Sequence, residues 1–277
     1  MPLVQRQPAL KQLTPAQYQQ WMDAGYLVLS GFLDQDRVVD LRDTFMDAAR
    51  GGPVPGLSDD HHAEPGDPLH RWPRMMHPHR HLDLPVGAVA RRAFFDPRLG
   101  EVLGDLLGEE ALAAQSMFYF KPPGARGQDL HQDNFYLRVA PGTCVAAWLA
   151  IDRADSDNGG LAVVPGSHRL PVACPERSDA SRSFIDHRVN IPPGLHAKQL
   201  VLDPGDVLFF NGSVIHGSLP NTTADRWRRS FICHYLPRSS AEINTWYHPV
   251  HRFDGTPWTI AAASGGGPCG SVTVGPH

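Results

Sequence analysis

The segment Leu130-His131-Gln132-Asp133-Asn134-Phe135-Tyr136 carries an imidazole and a carboxylate two positions apart. On a strand, His131 and Asp133 face one way and Gln132 the other, so both can grip a single ion. A third ligand must then come from elsewhere in the fold. Among the remaining histidines His216 is the best placed, because it follows the apolar run Val207-Leu208-Phe209-Phe210 and precedes the turn at Gly217-Ser218. Two neutral imidazoles and one carboxylate on one face of an octahedron leave three positions open, a donor set that suits non-haem Fe(II) oxygenases. A His-x-Asp pair alone is common on surfaces, so the distant partners carry the argument.

Beyond His216, Arg226-Trp227-Arg228-Arg229-Ser230-Phe231 places cations at the start of another strand. An arginine entering a sheet interior needs an anionic partner, and its planar fork suits a carboxylate. Only one of the three can face inward, and the spacing leaves open which. His168, in Pro165-Gly166-Ser167-His168, reads as a residue that bonds loop backbone; His234, in an apolar strand, reads as a hydrogen-bonded interior histidine. The run His77-Pro78-His79-Arg80-His81 has the composition of a zinc tract, but Pro78 and the neighbouring Arg74 and Arg80 favour a lid segment touching substrate.

These residues must be positioned by regular elements. Thr14-Pro15-Ala16-Gln17 has the pattern of a capping box and predicts a helix to about Ala24, ended by Gly25. Tyr26-Leu27-Val28-Leu29 predicts a strand, and Asp34 a cap for a second helix whose apolar face is Val38, Leu41, Phe45 and Ala48/Ala49. Asp96-Pro97 opens another, with Leu99, Val102, Leu103, Leu106 and Leu107 on one side and Gly108 after its end. Residues 51–85, rich in Pro, Gly and His, predict an irregular lid in which Trp72, Met75 and Met76 cover an organic substrate and stay out of the core. From about residue 112 the pattern becomes short strands between turns: LAAQSMFYF, HQDNFYLRV, CVAAWLAI, GLAVV, QLVL, DVLFF, SVIHG and RSFICHYL. This predicts a mainly β fold with flanking helices, a double-stranded β-helix or cupin-like jelly roll. One domain over 1–277 is expected, with a helical flank and lid at 14–110, a jelly-roll core at 111–238 with an insert at 166–198, and a weakly structured tail at 239–277.

The 277 residues carry a net charge of −4, which argues against a nucleic-acid partner held by charge. No apolar stretch has the length of a signal peptide core or a membrane span, so no membrane and a cytoplasmic setting are expected. Cys144, Cys174, Cys233 and Cys269 are far apart with no Cys-x-x-Cys pair, and read as reduced, mostly buried thiols. A chain of this size folds without a metal, so a metal site would serve chemistry.

The ordered set K-P-P-G, H-Q-D-x-x-Y, C-x-x-A-W, N-G-G-L-x-x-x-P-G-S-H, P-G-D-x-x-x-F, H-G-S-x-x-N and R-R-S-F-x-x-H-Y resembles the phytanoyl-CoA dioxygenase family of Fe(II)/2-oxoglutarate oxygenases. The likeness runs from about residue 14 to 238. It implies that His131, Asp133 and His216 hold Fe(II), that Arg228 binds the distal carboxylate of 2-oxoglutarate with help from Ser218, and that Met117 and Trp148 line the co-substrate pocket. It places Arg228 one residue further from the distal histidine than the family pattern, which leaves Arg226 and Arg229 as substitutes. Dioxygen is the further co-substrate. Asp133 favours hydroxylation or a related oxidation, because related halogenases lack that carboxylate. The resemblance leaves the small-molecule substrate open; a tailoring role in bacterial secondary metabolism is expected. The competing readings are a cupin-like metalloenzyme without 2-oxoglutarate and a non-catalytic binding protein on the same fold.

Overall fold

The computed structural model describes residues 10–59, 66–265, 267, 269 and 270. Readings of the first nine residues, and of 60–65 in the lid segment, lie outside them. Helix α1 (Pro15–Ala24) starts as its sequence dictates: the Thr14 side chain accepts from the Gln17 amide, the Gln17 side chain accepts from the Thr14 N–H, and Gly25 ends the helix in the left-handed region. Strand β1 (Tyr26–Leu29) and helix α2 (Gln35–Ala48) follow, with Val38, Leu41 and Phe45 buried.

The segment predicted to be an irregular lid is partly regular. It holds α3 (Pro68–Arg71), β2 (Met75–Met76) and a 3-10 turn at Pro78–Arg80. Helix α4 (Pro85–Phe94), which the sequence reading passes over, buries Val86, Val89, Ala90, Ala93 and Phe94, and α5 (Pro97–Leu107) follows with its Asp96 cap and Gly108 stop.

The strands are β3 (Ala111–Tyr119), β4 (Gln128–His131), β5 (Val145–Ala150), β6 (Leu161–Val163), β7 (Glu176–Arg177), β8 (His187–Arg188), β9 (Lys198–Gln199), β10 (Val207–Asn211), β11 (His216–Ser218), β12 (Ser230–Pro237), β13 (Glu242–Ile243), β14 (Val250–His251), β15 (Pro257–Trp258) and β16 (Ala261–Ala262). A large sheet runs β1-β10-β5-β12-β3-β14-β15, with β2 added on β3, and a smaller one runs β4-β11-β6-β9. The two form the jelly roll. Between β4 and β5, Asn134–Leu137 makes one helical turn, α6.

Central strands of the large sheet are buried on both faces, and strict alternation sorts their side chains. Phe118, Leu149, Phe209, Phe231, Cys233 and Tyr235 face the helices, where Phe45 of α2 stacks on Phe118 at 4.1 Å. Met117, Tyr119, Trp148, Leu208, Phe210 and Ile232 face the interior between the sheets. Met75 pairs with Phe118 and is 1% exposed in the helix-side core, so it is a core residue and no substrate cover; Met76 pairs with Met117 and joins the interior cluster. Trp72 is half-buried and packs edge-on against Trp227.

Two further expectations are corrected. The tail is structured through Ala262: β13 pairs with β16, β14 with β3, and Ile243, Tyr247 and Val250 are buried against Leu112, Ala114 and Leu236. Cys174 and Cys269 are joined in a disulfide, because the tail returns to the insert and brings their Cα atoms to 5.3 Å; Cys144 and Cys233 are buried thiols, as expected. Among the described residues no helix is long and apolar enough to cross a membrane.

Candidate metal centre and anion pocket

His131 is the last residue of β4 and His216 the first of β11, and the antiparallel register sets them directly opposite. Asp133 reaches them differently from the sequence expectation. The strand stops at His131, and Asp133 takes helical backbone angles (φ −61°, ψ −35°) at the start of α6, so a change of direction brings the carboxylate round in place of strand alternation. Asp133 Oδ1 lies 3.5 Å from Nε2 of each histidine, and one donor atom from each of the three lies within 4.8 Å of the others. All three are buried.

Neighbouring groups fix the histidine tautomers. His131 Nδ1 donates to the Asp129 carbonyl at 2.8 Å and His216 Nδ1 to the Val214 carbonyl at 3.0 Å, which turns each Nε2 lone pair toward Asp133. His234 Nε2 donates to Asp133 Oδ2 at 3.0 Å, so the expected interior hydrogen bond of His234 is to the carboxylate of this cluster. Burial works to raise the Asp133 carboxyl, but the surrounding imidazoles outweigh it and hold the group well below the usual carboxylate range. Burial also lowers His216, to about 4. At neutral pH the site is a carboxylate beside a neutral imidazole, the protonation state a divalent ion requires.

From this cluster a cavity runs between the sheets, lined by Met117, Trp148, Phe210, Ser218, Ile232 and Arg228 among others. Of the three arginines, Arg226 pairs with Asp155 at 2.8 Å and Arg229 with Asp152 at 2.7 Å, while Arg228 faces inward and is 3% exposed. Arg228 Nε donates to the Gly159 carbonyl and a terminal nitrogen to Ser230 Oγ, and its guanidinium sits 5.7 Å from the Trp148 ring centre. Lys121, which the sequence reading gave no role, is buried beside it. Its Nζ donates to Ser218 Oγ at 2.8 Å and the Leu219 carbonyl at 2.7 Å. A Cβ on Gly159 would lie 2.8 Å from that Nζ, so the Asn-Gly-Gly segment makes room for the lysine. Burial lowers Arg228 to about 10, and burial with the Arg228 charge takes Lys121 well below its usual value. Among the described residues neither forms an ion pair with a carboxylate. Two buried cations without an anion are a site prepared for one.

The family model for phytanoyl-CoA dioxygenase matches residues 21–230, a span that contains the three clustered ligands, Lys121 and Arg228. The chain belongs to the phytanoyl-CoA dioxygenase family. Members depend on iron and 2-oxoglutarate. Phytanoyl-CoA dioxygenase 1 of Oryza sativa subsp. japonica is 31% identical over 137 residues, 48% of each chain. The dioxygenase lolE1 of Epichloe uncinata is 30% identical over 157 residues, 56% of this chain and 58% of its own. The chain thus spans about half the length of these curated relatives. A solved epimerase, SnoN, in complex with Fe3+, alpha-ketoglutarate and nogalamycin RO, superposes with a TM-score of 0.64 at 20% identity over 88% of this chain and 94% of its own, a likeness of fold.

The remaining histidines separate. His168 Nε2 lies 3.3 Å from the Met22 carbonyl, a backbone partner as expected, though in the last turn of α1 and not in its own loop. His79 is buried on the helix side against Ser116 and Phe94, so it is no part of a substrate lid, whereas His77 is buried against Trp246. From the 166–198 insert, His187 bonds the Tyr136 hydroxyl, and the Tyr136 ring is 6.1 Å from that of His131. Gln128, whose amide is 3.3 Å from His131 Nε2, is a further neighbour that the sequence reading missed.

Proposed function

We propose that this chain is an Fe(II)/2-oxoglutarate-dependent oxygenase that hydroxylates, or otherwise oxidises, a C–H bond of a small organic substrate. The observation that carries this is one cavity lined by His131, Asp133 and His216 together with Arg228, with Lys121 bonded to the lining residue Ser218. When bound, iron and 2-oxoglutarate with dioxygen supply the oxidising chemistry, releasing succinate and carbon dioxide. The donor set fits iron, with two imidazole nitrogens of fixed tautomer and an ionised carboxylate, and His131, Asp133 and His216 would hold it. Arg228 and Lys121 would bind the distal carboxylate of 2-oxoglutarate, Ser218 would orient Lys121, and Met117 and Trp148 would exclude water from the cavity walls. A cupin-like enzyme without 2-oxoglutarate leaves both buried cations without a role. That SnoN comes from nogalamycin biosynthesis supports a substrate drawn from secondary metabolism.

Anaerobic titration of the apoprotein with Fe(II) and then 2-oxoglutarate is expected to give the weak visible charge-transfer band of an iron–keto-acid chelate. The same mixture in air is expected to release succinate. Folded, iron-loaded protein with no band would overturn the 2-oxoglutarate reading. The histidine bonded to Asp133 gives an independent check. His234→Leu removes the donor that orients Asp133, and is expected to weaken Fe(II) affinity roughly 10–100-fold in competition with a chelating dye. Wild-type affinity in this variant would reduce His234 to packing.

A further inference from the structure

We propose that Gln115, His77 and Tyr247 form a substrate-binding subsite on the far side of the metal ligands from Arg228, one that takes a neutral polar group such as a hydroxyl or a carboxamide. The position follows from the strand register. Gln115 lies on β3 two residues before Met117, which lines the cavity, and pairs across to His234, which bonds Asp133. The His77 N–H donates to the Ser116 carbonyl at 2.8 Å, which seats His77 beside the same stretch of β3. Its ring lies 4.4 Å from Trp246, and the Trp246 ring lies 5.2 Å from Tyr247.

All three side chains are buried, Gln115 and Tyr247 completely. Yet both amide atoms of Gln115, both ring nitrogens of His77 and the Tyr247 hydroxyl have no hydrogen-bond partner among the described residues. Buried polar atoms are nearly always paired, because each unpaired one carries the full cost of desolvation. Five such atoms beside one metal cluster indicate a ligand that completes them. His77 also has a left-handed backbone (φ 50°), an uncommon conformation for a residue with a side chain, of the kind that gathers at ligand sites.

The chemistry of the group follows from charge. Burial holds His77 well below and Tyr247 well above their ordinary values, so both are neutral, and Gln115 cannot ionise. Each of the three can donate and accept. An anion would leave their acceptors unused and would be desolvated near the ionised Asp133; a hydroxyl or carboxamide uses both capacities. The inference rests on the oxygenase reading, because that reading makes the neighbourhood of Asp133 the place where a substrate C–H must lie.

The test uses the full chain loaded with Zn(II) and 2-oxoglutarate, with butyramide, butan-1-ol and butyrate as probes in saturation-transfer NMR. Butyramide and butan-1-ol are expected to receive saturation in the wild type, and the signal to fall by about fivefold, the worth of one hydrogen bond, in Gln115→Leu and in Tyr247→Phe. Thermal unfolding without probe gives a readout that a structural role moves the other way. Removing unpaired buried polar atoms is expected to raise the Tm by about 2–4 °C in Gln115→Leu. Stronger transfer to butyrate, probe signals unchanged in both variants, or a Tm that falls in both would overturn the subsite. If Zn(II) and 2-oxoglutarate bind but no neutral probe does, the subsite alone fails; if they do not bind, the oxygenase reading fails with it.

Discussion

Asp133→Ala is expected to abolish succinate release and to cut Fe(II) affinity well beyond the roughly 10–100-fold typical of losing a group that only orients a ligand. The carboxylate is the anionic member of the donor set and touches every other part of it: Oδ1 faces Nε2 of His131 and His216, and Oδ2 accepts from His234. Without it, two neutral imidazoles remain to bind a divalent cation. Some loss of apoprotein stability is expected alongside, because truncation also leaves the buried His234 donor without its partner. The group is 1% exposed, and its ionised form is held against the burial penalty by its neighbours. Asp133→Asn keeps the shape and one carbonyl oxygen that can accept from His234 but loses the charge, and should fall between the wild type and Asp133→Ala both in iron affinity and in apoprotein Tm. Dye-competition titration, succinate assay and thermal unfolding on the three proteins separate these effects. Undiminished iron binding in Asp133→Ala would remove the metal assignment.

That these three ligands are legible in the sequence reflects how few residue types can bind a metal, since His131, Asp133 and His216 stand out by chemistry whatever backbone carries them. The backbone between them is less legible. His-x-Asp on a strand and His-x-Asp at a strand end entering a helical turn look alike in sequence, and only the tertiary packing of α6 against Leu112, Cys144 and Tyr247 decides between them. The long strands β3, β5, β10 and β12 are readable because their residues are predominantly apolar, with only Gln115 and Ser116 inside β3 and His234 inside β12 breaking the run. The two-residue strands β2, β7, β8 and β13 to β16 are not, since they owe their pairing to neighbours already in place. Residues 75 and 76 therefore pass for a lid in sequence and prove to be a sheet edge. The Cys174–Cys269 pair spans 95 residues and depends on where the tail ends up, which no local pattern encodes. Lys121 fails for another reason. A lysine after a strand is ordinarily solvated, and nothing local signals that Gly159, far along the chain, leaves space for it.

Arg228→Ala is expected to raise the KM for 2-oxoglutarate by at least about 30-fold, the equivalent of roughly 2 kcal/mol for truncating one side of a buried charge-assisted pair. At saturating 2-oxoglutarate, kcat should change far less, because Arg228 lines the cavity without being one of the clustered metal ligands. Three other variants make the result specific. Arg226→Ala and Arg229→Ala remove cations already paired with Asp155 and Asp152, and both should keep the wild-type KM. Arg228→Lys keeps a charge but loses the planar fork that spans Gly159 and Ser230, so a partial loss is expected. Lys121→Met should raise KM as well, and the double variant should lose the co-substrate altogether, since each single change leaves one buried cation to hold the carboxylate. Stability supplies a check that does not depend on turnover. A ligand that binds only the folded protein stabilises it by mass action, so 2-oxoglutarate with Zn(II) should raise the wild-type Tm in a concentration-dependent way. In the double variant that response should vanish, while the unliganded Tm holds or rises because two uncompensated buried charges have gone. A KM that follows Arg226 or Arg229, or a 2-oxoglutarate response that survives the loss of both Lys121 and Arg228, would place the co-substrate elsewhere and leave the two buried cations unexplained.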